Sequence, residues 1–423
     1  MSTRSRIGLL SLTALVISSM IGSGIFSLPQ NMAAVAGSKA LLIGWLITGV
    51  GIIFLGLSFS ALSRLRPDLD GGIYTYAHDG FGDLMGFLSA WGYWLCTTVG
   101  IVGYLVVAFE AAGTFVDTPD AIIFGKGNTF ISFIGASTVA WLVYALVASG
   151  IKEAAGVNLV ATVVKVFPLV LFIGLAAWFF DPAIFMADWN GAGIQTDGAP
   201  SSVMDQVRNT MLITLWVFTG IEGAGVLQHM VGHWGKVLIS ACLVVSVLSS
   251  YLSWTLYATE IPHMGAKNGA FPPSFIKLNR NEVPTGSLLF TTLTVQLCLF
   301  LVWQTGNSYE ALLMISTSMI LVPYLLIGAY LLKLSFTQHL NWTYKATGLI
   351  ATPYALWIVY AAGVQYLLFS VLLYLPGILL FLYSQRRHHG TWRFSTGDKV
   401  VLGVLAVLAV PAVWRFWQGV AVG

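Results

Sequence analysis

Charge is what this sequence has least of. Only 9% of its 423 residues are Asp, Glu, Lys or Arg, where a soluble chain carries about 25%. So few charges cannot cover a surface that faces water, which excludes a soluble enzyme and a nucleic-acid binder. The net charge of +3 is too small to imply a polyanionic partner. Cysteine is scarce as well: Cys96, Cys242 and Cys298 all fall in apolar stretches, without metal-ligand or pairing spacing. They read as small buried hydrophobes, and a secreted disulfide scaffold is excluded. No serine-nucleophile motif or phosphate loop stands out. His229, His233, His263 and the pair His388-His389 lack carboxylates in a metal-site arrangement, so neither catalysis nor a cofactor is expected.

What is present in quantity is apolar. Hydrophobic residues make up 57% of the chain and the mean hydropathy is +0.82, the composition of an all-α polytopic membrane protein. The N-terminus is short and basic at Arg4 and Arg6, then apolar from residue 7 through Gly22-Ser23-Gly24 to Leu28. It lacks a small-residue cleavage site, so a retained first span is expected rather than a removed signal peptide.

A membrane helix needs about 20 mostly apolar residues. That rule gives about twelve spans, near 8–28, 40–63, 84–115, 128–149, 157–180, 206–228, 234–260, 285–303, 309–332, 344–363, 366–384 and 398–417. The third is long enough to tilt strongly or to run past the bilayer. Lys and Arg in short loops mark the cytoplasmic side. Arg4, Arg6, Arg64, Arg66 and Lys152 place the N-terminus inside, and Lys126 sits in an alternate loop. Lys267, Lys277, Arg280, Lys333, Lys345, Arg386, Arg387 and Arg393 give a consistent pattern for the second half taken alone. The two halves disagree in parity. If 206–228 crosses inward, the next span must cross outward, which puts Lys267, Lys277 and Arg280 outside. One crossing is missing.

Glycine-broken backbone inside a membrane is tolerated where protein or a water-filled cavity satisfies the freed amides. Two spans carry such breaks: Ile21-Gly22-Ser23-Gly24-Ile25-Phe26, and Thr219-Gly220-Ile221-Glu222-Gly223-Ala224-Gly225. Paired interruptions in two halves point to a transporter binding site, whose exposed N–H groups can hold a carboxylate. Close helix packing through small residues is the alternative. Charges inside spans cost roughly 2.5–3.5 kcal/mol each. Glu222 could neutralise a cationic substrate, titrate, or pair with a nearby donor. Lys165 could stand in the place of a sodium ion or snorkel to the interface. Glu110 reads as interfacial or paired. Trp216 lies beside the second break, and it or Trp254 could face a cation; packing in the core is equally open.

At these residues the chain resembles the basic amino acid/polyamine antiporters of the amino acid–polyamine–organocation superfamily, and arginine–ornithine antiporters most. The likeness rests on Met20-Ile21-Gly22-Ser23-Gly24-Ile25-Phe26-Ser27-Leu28-Pro29-Gln30, Gly71-Gly72-Ile73-Tyr74-Thr75-Tyr76-Ala77 and Gly150-Ile151-Lys152-Glu153-Ala154-Ala155. It continues through Trp216 to Gly223, Leu252-Ser253-Trp254-Thr255-Leu256 and Met319-Ile320-Leu321-Val322-Pro323-Tyr324, and covers almost the whole chain.

The resemblance implies a LeuT-like inverted-repeat transporter fold in one transmembrane domain. Residues 1–180 would form the first repeat, 206–332 an incomplete second, and 344–417 additional helices. It implies an amino acid held near Met20, Gly22, Ser23, Gly24, Cys96, Thr97, Ile101, Trp216, Gly220 and Trp254. The backbone at Gly22, Ser23 and Gly24 would take its carboxylate, and Trp216 would stack on its cationic end. Tyr93, Glu222 and Tyr324 match gating or proton-linked positions, Trp254 a gating tryptophan, and Lys165 a substitute for sodium. The implied activity is sodium-independent exchange of arginine for ornithine or a related amine, by a monomer or homodimer in the bacterial inner membrane.

Two departures stand out. The family has an asparagine where Ile101 stands. After Gly225-Val226-Leu227-Gln228 the match jumps to the segment before the eighth helix, His229 to Leu238, so the seventh helix is absent. This second departure coincides with the parity conflict read from charge. A non-transporting amino-acid-binding protein is therefore the alternative reading.

Overall fold

The computed structural model describes residues 17, 21, 32–69, 72–150, 162, 165–166, 169–196, 199–215, 233–306, 318–392 and 394–417. Helix α1 (Ser38–Leu65) carries no charge between Lys39 and Arg64, and it leads through a turn into the short α2 (Ile73–Phe81). Helix α3 (Asp83–Val116) follows. At about 1.5 Å per residue it is roughly 50 Å long, and it outruns a bilayer core of about 30 Å. Helix α4 (Phe130–Ser149) starts where the Thr129 hydroxyl accepts from the Ser132 amide, a side-chain cap on otherwise unpaired donors. Then come α5 (Leu169–Trp178), α6 (Pro182–Ala187), and a minimal antiparallel hairpin of β1 (Gln195–Thr196) and β2 (Ala199–Pro200). The rest is helical: α7 (Val203–Leu215), α8 (His233–Lys267), α9 (Thr285–Thr305), α10 (Leu321–Thr337), α11 (Trp342–Ala362), α12 (Val364–His389) and α13 (Thr396–Trp417).

Among the described residues, six helices are long and apolar enough to cross a membrane: α1, α3, α4, α9, and the greater part of α12 and α13. Most of the expected spans thus lie on described helices within a few residues. The first is outside the description except at residues 17 and 21.

Helix α3 is the most enclosed. Helix α8 packs along its length, with α4 and α9 against the pair, while α1, α7, α10 and α11 gather as a second group. The outer sides of α1 and α13 expose Leu46, Ile53, Val407 and Val410, surface suited to lipid.

Contacts fix the direction of each helix. Phe271, just past the end of α8, packs on Phe87 near the start of α3 with ring centroids 5.1 Å apart, so the two run antiparallel. Lys333 Nζ at the end of α10 donates to the Gly80 carbonyl. Asn279 Nδ2 donates to the Ala148 carbonyl at the end of α4, and the Ser384 hydroxyl of α12 donates to Gly269. Arg64, Arg66, Lys267, Lys277, Arg280, Lys333, Arg386 and Arg387 therefore collect on one face, the basic face. On the opposite face Asn128 donates to the Gly306 carbonyl at the end of α9, and the Ser38 hydroxyl to Phe185.

This placement corrects the parity reading at its second step. Helix α7 starts on the opposite face, where Gln206 Oε1 accepts from the Gly37 amide at 2.9 Å. It runs alongside α1, with Thr48 donating to Met211 Sδ at 3.3 Å. Helix α8 also points towards the basic face. Two successive described helices run in the same sense, so Lys267, Lys277 and Arg280 are on the same side as Arg66, not across from it. The connecting residues 216–232 lie outside the described residues.

Candidate functional site

The described part of the site is built on α3 and α8. Trp254 of α8 is 7% exposed and lies edge-on to Tyr104, centroids 5.6 Å apart at 87°, a favourable arrangement for two ring quadrupoles. It fits there because residue 100 is glycine: a Cβ at Gly100 would come within 2.8 Å of the indole. Cys96 and Ile101 flank this contact and are buried, Cys96 as a free thiol. The Thr97 hydroxyl donates into its own helix, to the Tyr93 and Trp94 carbonyls at 3.0 and 2.9 Å.

Tyr93 of α3 is within electrostatic range of Tyr324 of α10, Tyr257 of α8 and Cys96, and Tyr324 is within range of Cys96 too. Each tyrosine remains half-buried, while Trp94, Thr97, Thr255 and Ala258 beside them are fully enclosed. Side chains from three helices thus meet at Tyr93, beside the Cys96 thiol.

Lys165 marks the second part. Its side chain is wholly buried, so the snorkelling alternative does not hold. The ammonium donates to the Ile21 carbonyl at 2.9 Å and to Ser250 Oγ at 3.0 Å. Ser250 donates in turn to Ile21 at 2.9 Å, and Ser246 reaches the same carbonyl at 3.5 Å. Ile21 closes a helical turn onto Ile17, immediately before the glycine break. One carbonyl at the edge of the first break is thereby joined to Lys165 of the fifth span and to helix α8.

Met20, Gly22, Ser23, Gly24, Trp216, Gly220 and Glu222 lie outside the described residues. Cys96, Tyr93 and Tyr324 are brought together, Trp254 is one helix turn away on α8, and Lys165 occupies a separate polar cluster. Ser246, Ser250 and Tyr257 were missed by the sequence reading. The repeat of Ser246, Ser249, Ser250 and Ser253 at helical spacing was the available signal for the first two.

A sequence model of the amino acid permease family matches residues 7–229 and 223–407. The chain belongs to the amino acid permease family. The match is in two stretches that overlap at 223–229. This permease is 45% identical to an Escherichia coli protein that carries the arginine/ornithine antiporter name provisionally, over 97% of this chain and 98% of that one. It is 40% identical to the arginine/ornithine antiporter of Pseudomonas aeruginosa, over 99% and 98%. It is 36% identical to the arginine/agmatine antiporter of Chlamydia felis, over 98% and 97%. The Escherichia coli match extends over 462 positions while the chain has 423 residues. Some positions of that relative therefore have no counterpart here.

Proposed function

We propose that this permease exchanges amino acids across the bacterial cytoplasmic membrane without sodium, taking arginine against ornithine or a related cationic amino acid or amine. The observation that carries this is full-length likeness to proteins named as antiporters of those substrates. In this reading the basic face is cytoplasmic, in keeping with the bias of Lys and Arg. Residues 1–180 and 206–332 are the two repeats, the second incomplete, and 344–417 the additional helices.

The substrate carboxylate lies at Met20, Gly22, Ser23 and Gly24, and its amino group faces the main chain at Gly220. Trp216 covers the cationic end. Cys96, Thr97, Ile101 and Trp254 bound the pocket on the α3 and α8 side, where an aliphatic Ile101 gives the substrate no polar partner. Tyr93, Glu222 and Tyr324 gate it. The absence of sodium coupling is supported by Lys165, which delivers one positive charge to the Ile21 carbonyl and the Ser250 hydroxyl, oxygen ligands of the kind that a hard cation takes.

Binding without transport is the second reading, favoured by the division of the family match into two stretches at 223–229. Proteoliposomes loaded with unlabelled ornithine and given labelled arginine separate the two. Arginine entry that depends on the load is expected. Binding by calorimetry without entry would leave only the second reading, and neither binding nor entry would end both.

A further inference from the structure

Helix α2 is short, yet it is held to both packing groups of the molecule. On its α3 side the hold is buried packing. Tyr74 and Ala77 are 1% and 0% exposed, the Ser89 hydroxyl donates to the Ile73 carbonyl at 3.1 Å, and His78 pairs with Asp83 at 2.8 Å.

On the side of the second group the hold is charged. Arg66 Nη1, at the end of α1, lies 2.5 Å from Asp79 Oδ2 and donates to the Tyr330 hydroxyl of α10 at 2.7 Å. That hydroxyl donates to the same Asp79 oxygen at 2.5 Å. Arg66 Nη2 adds a bond to Asp79 Oδ1 at 3.1 Å, the two-pronged geometry in which guanidinium and carboxylate pair best. Asp68 takes up the rest of the guanidinium at 2.8–3.3 Å. The Tyr330 ring stacks on Tyr76, centroids 6.1 Å apart, and fills the space a Cβ on Gly80 would need.

If the two groups separate at the basic face, one of these attachments must give. Water can resolvate the partly exposed ions, but it cannot replace the buried packing of α2 on α3. The ionic attachment therefore yields first. It also joins residues far apart in sequence, so it reports the relative position of α1 and α10 rather than a local turn.

We propose that Arg66, Asp79 and Tyr330 form a releasable latch that keeps the basic face of this permease closed over the interior region beside Cys96. This rests on the exchange reading only in requiring two faces that open in turn, and the test measures thiol access instead of flux. With Cys242 and Cys298 changed to Ser, Cys96 is the sole thiol. An impermeant methanethiosulfonate is applied to oriented membrane vesicles, first from one face and then from the other.

Asp79→Asn and Tyr330→Phe should each raise the rate of Cys96 modification from the basic face several-fold and leave the rate from the opposite face unchanged. Asp79→Glu should restore the slow rate. Rates unchanged in both variants would overturn the latch, and so would an equal rise from both faces, which reports general loosening. A raised basic-face rate in a protein that fails to exchange arginine would support the latch and count against the transport reading.

Discussion

The ammonium of Lys165 is 2.9 Å from the carbonyl of Ile21, and Ser250 bonds to both. A cation here ties together the first span, the fifth span and helix α8 at the edge of a glycine break. Lys165→Met keeps the length and removes the charge. The Ile21 carbonyl retains Ser250, and the cost of burying the ammonium disappears, so stability should change by no more than about 1 kcal/mol. Exchange should fall roughly tenfold or more, as losing a charge-assisted bond of about 1.5–3 kcal/mol implies. The thermal midpoint in detergent and the exchange rate check the two halves separately. Replacing external sodium by choline should leave the parent rate as it was.

Gly100 is where the α3–α8 seam is narrowest. In Gly100→Ala the new methyl would meet the Trp254 indole at 2.8 Å, and both helices are too well packed to yield freely. The overpacking should cost about 1–3 kcal/mol, seen as a lower thermal midpoint. A midpoint equal to the parent's would mean that the indole has room to move.

His78 responds to pH in a definite direction. Its hydrogen bond to Asp83 raises its pKa above the ordinary histidine value. The stabilisation it contributes is therefore complete below about pH 6.5 and is lost as pH rises through the higher folded-state pKa. The midpoint difference between parent and His78→Gln should be largest in mild acid and should shrink towards pH 8. A difference that grows with pH would contradict the pairing.

Sidedness can be read with two exposed loop positions. In a cysteine-free background, Lys126→Cys should react with an impermeant maleimide added outside intact cells. Lys277→Cys should react only after permeabilisation. Labelling of both from one side would reverse the direction assigned to α8.

Much of the fold was legible because span length and loop charge are local quantities. The long apolar run behind α3, the glycine pair around Ser23 and the Lys-Arg bias at Lys267, Lys277 and Arg280 all lie within one sequence window. The direction of α8 was not, because a window measures apolar length and not depth. Of the span at 206–228 only 206–215 is described, and neither its length nor its composition states the sense in which the next helix runs. The attachment of Arg66 to Tyr330 across 264 positions leaves no local trace. Lys165 was visible as an anomaly, while its partner, a backbone carbonyl, has no letter in the sequence.

The shared sense of α7 and α8 bears on how membrane topology is written into a chain. Counting crossings from the N-terminus would turn every later helix over once one is lost. Here Trp254 still meets Gly100, and the basic ends still gather on one side. The orientation of each segment is thus anchored by its own flanking charges and its own packing partner. A chain governed in that way would keep its helices in their orientations even if a passage through the bilayer were lost.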